Sequence, residues 1–149
     1  MKSEMFPLLT VSFIIYTALT FIMQPRADAL DPQQLVAWHD WEVATLPLYS
    51  GDHWRIEWGH LFIIASMGLL FIELVRATHT GTASITNHLL SFLLFIIVLL
   101  AFILAPGYGN STFFIFLTMT LLDPMAGFIV TTVTARRDLS LSDKAGLLS

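Results

Sequence analysis

Along this chain, long apolar runs are separated by short polar breaks, and within each run the apolar residues are consecutive rather than alternating. Four runs, at about 6–23, 57–76, 88–105 and 112–134, reach or approach the ~20 residues a helix needs to cross a hydrocarbon core. In lipid, only helices and closed barrels satisfy their own backbone hydrogen bonds, and runs without a two-residue period select helices. The pattern therefore predicts an all-α integral membrane protein, with four transmembrane helices in an antiparallel bundle forming one domain over 1–149. The links "RATHTGTASITNH" and "PGYGNS" are short, which makes the helices they join antiparallel neighbours. The first run resembles a secretory signal in its Met1-Lys2 start and in the later Ala27-Asp28-Ala29. Its apolar core exceeds the usual ~7–15 residues of such a signal, so a retained membrane helix is expected.

The one long polar insertion, 24–56, reads as an outer loop with a short interfacial amphipathic helix. Asp31-Pro32 has the form of a helix start, with aspartate as the cap and proline where no N–H is needed. Leu35, Trp38, Val43 and Leu46 supply an apolar side, and Pro47 with Ser50-Gly51-Asp52 ends the element. Trp38, Trp41, Trp54 and Trp58 all fall in or beside this loop. Tryptophan favours the lipid–water boundary, so these four are the expected interfacial docking residues.

Composition agrees with the pattern. Of 149 residues, 56% are hydrophobic and 12% charged, against about 25% charged in soluble domains. A net charge of −4 without a basic cluster argues against nucleic acid as a partner. The absence of cysteine removes disulfides, thiolate metal sites and cysteine nucleophiles. Lysine and arginine counts orient the chain: Lys2, Arg76, Arg136, Arg137 and Lys144 fall on one side, Arg26 and Arg55 on the other. The positive-inside rule then places both termini, including the tail 135–149, in the cytoplasm, most simply across a bacterial inner membrane.

Three constellations carry candidate chemistry. In the outer loop, His39, Glu42, His53, Glu57 and His60 are the residues that could ligate a divalent metal. His53, Glu57 and His60 share one face if the second membrane helix begins early. No ligand signature is present, so no cofactor is expected and a metal is the alternative. At the cytoplasmic edge, Glu73 and Arg76 stand three apart on one helix and can meet Asn87 and His88 as a solvated ion pair. Within the membrane, Asp123 and Pro124 interrupt "LTMTLLDPMAGFIV". Counted back from Arg136, Asp123 lies ~20 Å deep, where a charge costs about 2.5–3.5 kcal/mol on insertion scales. The expected resolution is a broken helix, with Asp123 capping a half-helix that starts at Pro124. Tyr16, Thr17 and Ser66 are its expected partners at the same depth, and Gly127 allows close packing.

These features favour a non-catalytic membrane subunit or accessory protein of a larger inner-membrane complex, docked through the Trp-rich loop and apolar helix faces. The bilayer and other integral subunits are its expected partners. Two alternatives remain: a small proton or ion transporter or channel subunit using Asp123, and a metalloprotein or oxidoreductase subunit with ligands in the outer loop.

Overall fold

The computed structural model describes residues 6–23, 36–77 and 83–146. Among these, the chain forms α1 (Leu9–Ile22), a 3₁₀ turn (Trp38–Asp40), strands β1 (Glu42–Pro47) and β2 (His53–Glu57), and helices α2 (Trp58–Ala77), α3 (Ala83–Leu104) and α4 (Ser111–Gly146). Three helices are long and apolar enough to cross a membrane, over Trp58–Arg76, Asn87–Leu104 and Ser111–Ile129. The first run does form an apolar helix, but over 14 residues. At 1.5 Å rise that is about 21 Å, less than the ~30 Å of a hydrocarbon core.

α4 is the central element and packs against both α2 and α3, while α1 lies against α2. Polarity is inverted relative to a soluble bundle. Ser12, Ser66, Glu73, Ser91, Thr120 and Asp123 are buried, whereas Ile14, Phe21, Phe71, Leu89, Leu104 and Phe128 face outward. Lipid tails are as apolar as leucine, so helix association there rests on close packing and interhelical hydrogen bonds rather than on burying oil. The interior follows that rule. At mid-bundle Ser66 donates to Ser12 Oγ at 3.0 Å, joining α2 to α1.

The loop expected to carry an amphipathic helix forms something else. A single 3₁₀ turn leads into an antiparallel hairpin, with Thr45 opposite Arg55 and Pro47 opposite His53. The irregular register between Glu42 and Ala44 leaves Val43 as a bulge. Gly51 closes the turn at φ 91°, a conformation that favours glycine. Leu35, Val43 and Leu46 do not repeat at a consistent helical interval, and Val43, Thr45, Trp54 and Ile56 prefer strands. The strand reading wins for that reason. The expected helix start at Asp31-Pro32 lies outside the described residues, as do Lys2 and Arg26.

The α3–α4 link is the expected tight turn. Gly107 takes φ 86°. Asn110 then caps α4, its Oδ1 accepting from Phe113 N at 2.9 Å. The same side chain donates through Nδ2 to the Tyr16 hydroxyl at 2.7 Å and to Gly107 O at 3.2 Å. Asn110→Ala therefore removes a helix cap and the donor to the buried Tyr16 hydroxyl, which keeps only its own 3.4 Å bond to Gly107 O. The expected loss is about 2 kcal/mol, read by unfolding in detergent. Asn110→Asp keeps the cap acceptor and should lose less.

Candidate functional site

Two centres, one polar and one aromatic, lie at opposite ends of the bundle. The first gathers residues from three helices and the start of the described chain. Glu73, 3% exposed, points inward from α2. Its Oε2 accepts from Leu8 N at 3.0 Å and its Oε1 from Asn87 Nδ2 at 3.4 Å. One carboxylate thus ties α2 to α3 and to the residue preceding α1. On α3, Ser91 donates to Asn87 O at 3.1 Å and its hydroxyl stands beside the Asp123 carboxyl of α4. Asp123, also 3% exposed, is near enough to Glu73 and His88 for their charges to interact. Asp123 Oδ2 and Asn87 Oδ1 are buried without a hydrogen-bond partner.

Several expectations change here. Glu73 is buried rather than solvated, while Arg76, three residues on, lies on the exposed surface. α4 continues as one helix from Ser111 to Gly146 with Pro124 inside it, so Asp123 does not cap a half-helix. Pro124 is buried against its neighbours, and packing of this kind lets a membrane helix accommodate proline. Nor do Tyr16 and Ser66 meet Asp123. Tyr16 bonds Asn110, 13 residues earlier on α4 or about 20 Å at helical rise, and Ser66 bonds Ser12. Thr17 Oγ1 is buried without a partner. α4 continues as helix beyond Ile129, where the span that is long and apolar enough to cross a membrane ends among the described residues. Asp123 lies beside Glu73, near the Arg76 end of the Trp58–Arg76 span. The edge group and the intramembrane acid, read from sequence as separate, form one cluster.

Gly127 is part of the same cluster. A Cβ there would fall into the His88 ring, so α3 and α4 approach this closely only because position 127 has no side chain. Outside this contact lies an apolar groove of 510 Å³ between the two helices, lined by Phe92, Leu121, Pro124 and Phe128 among others.

The second centre is aromatic. Tyr16 is fully buried, with ring centroids at 4.7 Å from Phe113, 5.2 Å from Trp38, 5.3 Å from Phe62 and 5.6 Å from Tyr108. Such pairs contribute about 0.5–1.5 kcal/mol each beyond simple packing. Trp38 donates from Nε1 to Thr20 Oγ1 at 3.1 Å. It is 4% exposed, so it belongs to the interior and not to a docking surface. Trp41 is partly buried, bonding Val36 O at 3.2 Å, while Trp54 and Trp58 remain half-exposed. Gly59 admits the His39 carbonyl and Thr112, both closer than 3 Å to where its Cβ would stand.

His39 sits in this wall, 6% exposed, with Nε2 3.6 Å from Asp40 Oδ2 and Nδ1 without a partner. Burial holds its imidazole below the usual 6.5, outweighing the opposing pull of Asp40 and Glu57. The folded state thus favours the neutral ring. Stability from His39 is complete above pH 6.5, the ordinary value, and is lost as pH falls toward the lower folded value. Melting temperatures taken between about pH 5 and about pH 8 should fall on the acid side, and His39→Asn should flatten that fall.

The other metal candidates do not converge. The helical face expected for His53, Glu57 and His60 is absent, because 53–57 is strand and α2 begins at Trp58. His60 Nδ1 instead accepts from Glu57 N at 3.1 Å, and Glu42 pairs loosely with Arg55 at 4.0 Å. Among the described residues there is no group of three histidines and acids placed to hold a metal ion. Comparison with protein-family models, curated proteins and solved structures finds no match for this chain.

Proposed function

We propose that this chain is a multi-pass inner-membrane protein acting as a non-catalytic subunit or accessory protein of a larger membrane complex. In this reading α1 crosses with the three longer helices, giving four spans and cytoplasmic termini, as the lysine and arginine distribution favours. The observation that carries it is the hairpin. It presents Leu46, Leu48, Tyr49 and Trp54 as exposed side chains, beside the half-exposed Trp58 that opens α2. Its two strands pair only with each other among the described residues, leaving both outer edges open. A two-stranded hairpin is marginal alone, and an open apolar edge is a ready template for another chain. The outward face of α3, with Phe92, Ile96, Leu100 and Ile103, offers a second apolar contact at membrane depth. Extraction in mild detergent and native mass measurement test the reading. A stable heteromeric assembly that is lost on Trp54→Ala supports it; a lone monomer contradicts it.

A second reading has one observation in its favour. Asp123 is not a solitary acid, because Glu73 lies close by and Asp123 Oδ2 has no partner. Intramembrane acid pairs of this kind mark proton and ion sites. In this case Asp123→Asn abolishes a proton- or ion-dependent flux in reconstituted vesicles while the protein still inserts; unchanged flux eliminates it.

A further inference from the structure

The cluster of Glu73, Asn87, Ser91 and Asp123 holds more hydrogen-bond acceptors than protons to satisfy them. Both Glu73 oxygens are engaged, one by Leu8 N and the other by Asn87 Nδ2. Ser91 has a single hydroxyl proton and donates it to Asn87 O at 3.1 Å. Its oxygen therefore stands beside the Asp123 carboxyl with no second proton to offer. Among the described residues, Asp123 Oδ2 and Asn87 Oδ1 remain as buried acceptors without a donor. Turning the Ser91 hydroxyl toward Asp123 would pass one proton between acceptors and leave the shortage unchanged.

Space and charge together limit what can fill that shortage. Asp123 Oδ2 and Asn87 Oδ1 are enclosed so completely that no water molecule fits beside either. A metal ion needs several ligands around it, and no three acids and histidines among the described residues are placed to hold one. A proton needs no room. Placed on Asp123, it turns one carboxyl oxygen from acceptor into donor. Charge favours the same outcome. Asp123 is 3% exposed within the Ser111–Ile129 span, where an ionised carboxylate is costly. The titratable groups that face it are Glu73 from α2 and His88 from α3, and two carboxyls this close do not both ionise readily. Asp123 is the better holder of the two acids. Both Glu73 oxygens already accept from N–H donors, an arrangement that suits a carboxylate, whereas one Asp123 oxygen has no donor at all.

We propose that Asp123 is a proton-binding site: at neutral pH its carboxyl is an undissociated acid, so the pair with Glu73 carries at most one negative charge. The inference rests on the same acids as the second reading above and narrows that reading's ligand to a proton. It does not require that the proton be moved across the membrane.

Infrared spectroscopy tests this on the full chain in vesicles of ether-linked phosphatidylcholine, a lipid with no carbonyl of its own. At about pH 7 solvated carboxyls are ionised and give no acid carbonyl band. The unaltered protein should nevertheless show one, displaced to lower frequency in heavy water. Aspartate carrying heavy carbon in its side-chain carboxyl should shift the band and glutamate labelled likewise should not, which assigns it without altering the chain. Asp123→Asn should then remove it. No acid band in the unaltered protein overturns the proposal, and a bare Asp123 carboxylate balanced by a protonated His88 would give that result. A band that survives Asp123→Asn, or follows the glutamate label, overturns it as well. Transport is judged separately. A band in protein that carries no flux keeps the site and eliminates the transport reading. Flux that is lost in Asp123→Asn, with no band in the unaltered protein, sinks this proposal and leaves that reading standing.

Discussion

Gly127→Ala destabilises the protein while Gly68→Ala does not. Both glycines lie within membrane-length helices, so both changes gain the same intrinsic helix preference, about 1 kcal/mol. They differ in what the new methyl group meets. At Gly68 nothing lies within 4 Å, whereas at Gly127 the methyl would occupy the His88 ring. Since three atoms of that ring are involved, a small adjustment cannot clear it; either the imidazole leaves or α3 and α4 separate. Overpacking of this kind costs about 1–3 kcal/mol, which is the separation expected between the two variants in detergent unfolding. His88→Ala in the Gly127→Ala background should recover much of the loss, because it removes the colliding group. Independent, additive effects of the two substitutions would show that the ring does not rest on position 127.

The second large effect is at Glu73. Glu73→Ala withdraws the acceptor for Leu8 N and for Asn87 Nδ2, both part-buried contacts. Each stranded donor costs about 1–3 kcal/mol, so a loss of roughly 2–5 kcal/mol is expected. Glu73→Gln keeps a carbonyl oxygen for one of the two and should lose about half as much. The consequence extends beyond α2, because Glu73 holds Leu8, the residue before α1, to the bundle. Glu73→Ala should therefore also expose the segment before α1 to proteolysis, while Glu73→Gln protects it. A cycle combining Glu73→Ala with Asp123→Ala should depart from additivity by more than about 0.5 kcal/mol, as expected for members of one network. Strict additivity would mean that the two acids act separately.

The membrane character of the chain was legible in its sequence because it depends only on apolar run length, a local property. The tight α3–α4 turn was legible for a similar reason, since Pro106-Gly107 and Asn110 carry its chemistry within five residues. The loop between α1 and α2 forms a hairpin and not the expected helix. Its tryptophans suggested an interfacial helix, but β-branched and aromatic residues on either side of Ser50-Gly51-Asp52 are the signal of a hairpin. Trp38 was grouped with its neighbours on composition, although three-dimensional packing buries it against Tyr16. The cluster of Glu73, Asn87, Ser91 and Asp123 was half visible. Both ends carry polar residues that stand out in the sequence, but Glu73 and Asn87 read as an edge group and Asp123 as a separate buried acid, because sequence does not show that α2, α3 and α4 bring them together. Which residues meet across helices depends on the offsets between helices, and one chain's sequence does not contain them.

The central claim is that the hairpin and the carboxylate cluster belong to opposite sides of a membrane crossed four times. The chain has no cysteine, so single cysteines can be introduced without first removing any. Ser3→Cys, Tyr49→Cys and Ser142→Cys report on the N-terminus, the hairpin turn and the far end of α4. With a membrane-impermeant maleimide on intact cells, Tyr49→Cys should label at once, and the other two only after the membrane is opened. Labelling of Ser3→Cys together with Tyr49→Cys would show that α1 does not cross. Labelling of Ser142→Cys together with Tyr49→Cys would contradict the three-helix crossing itself.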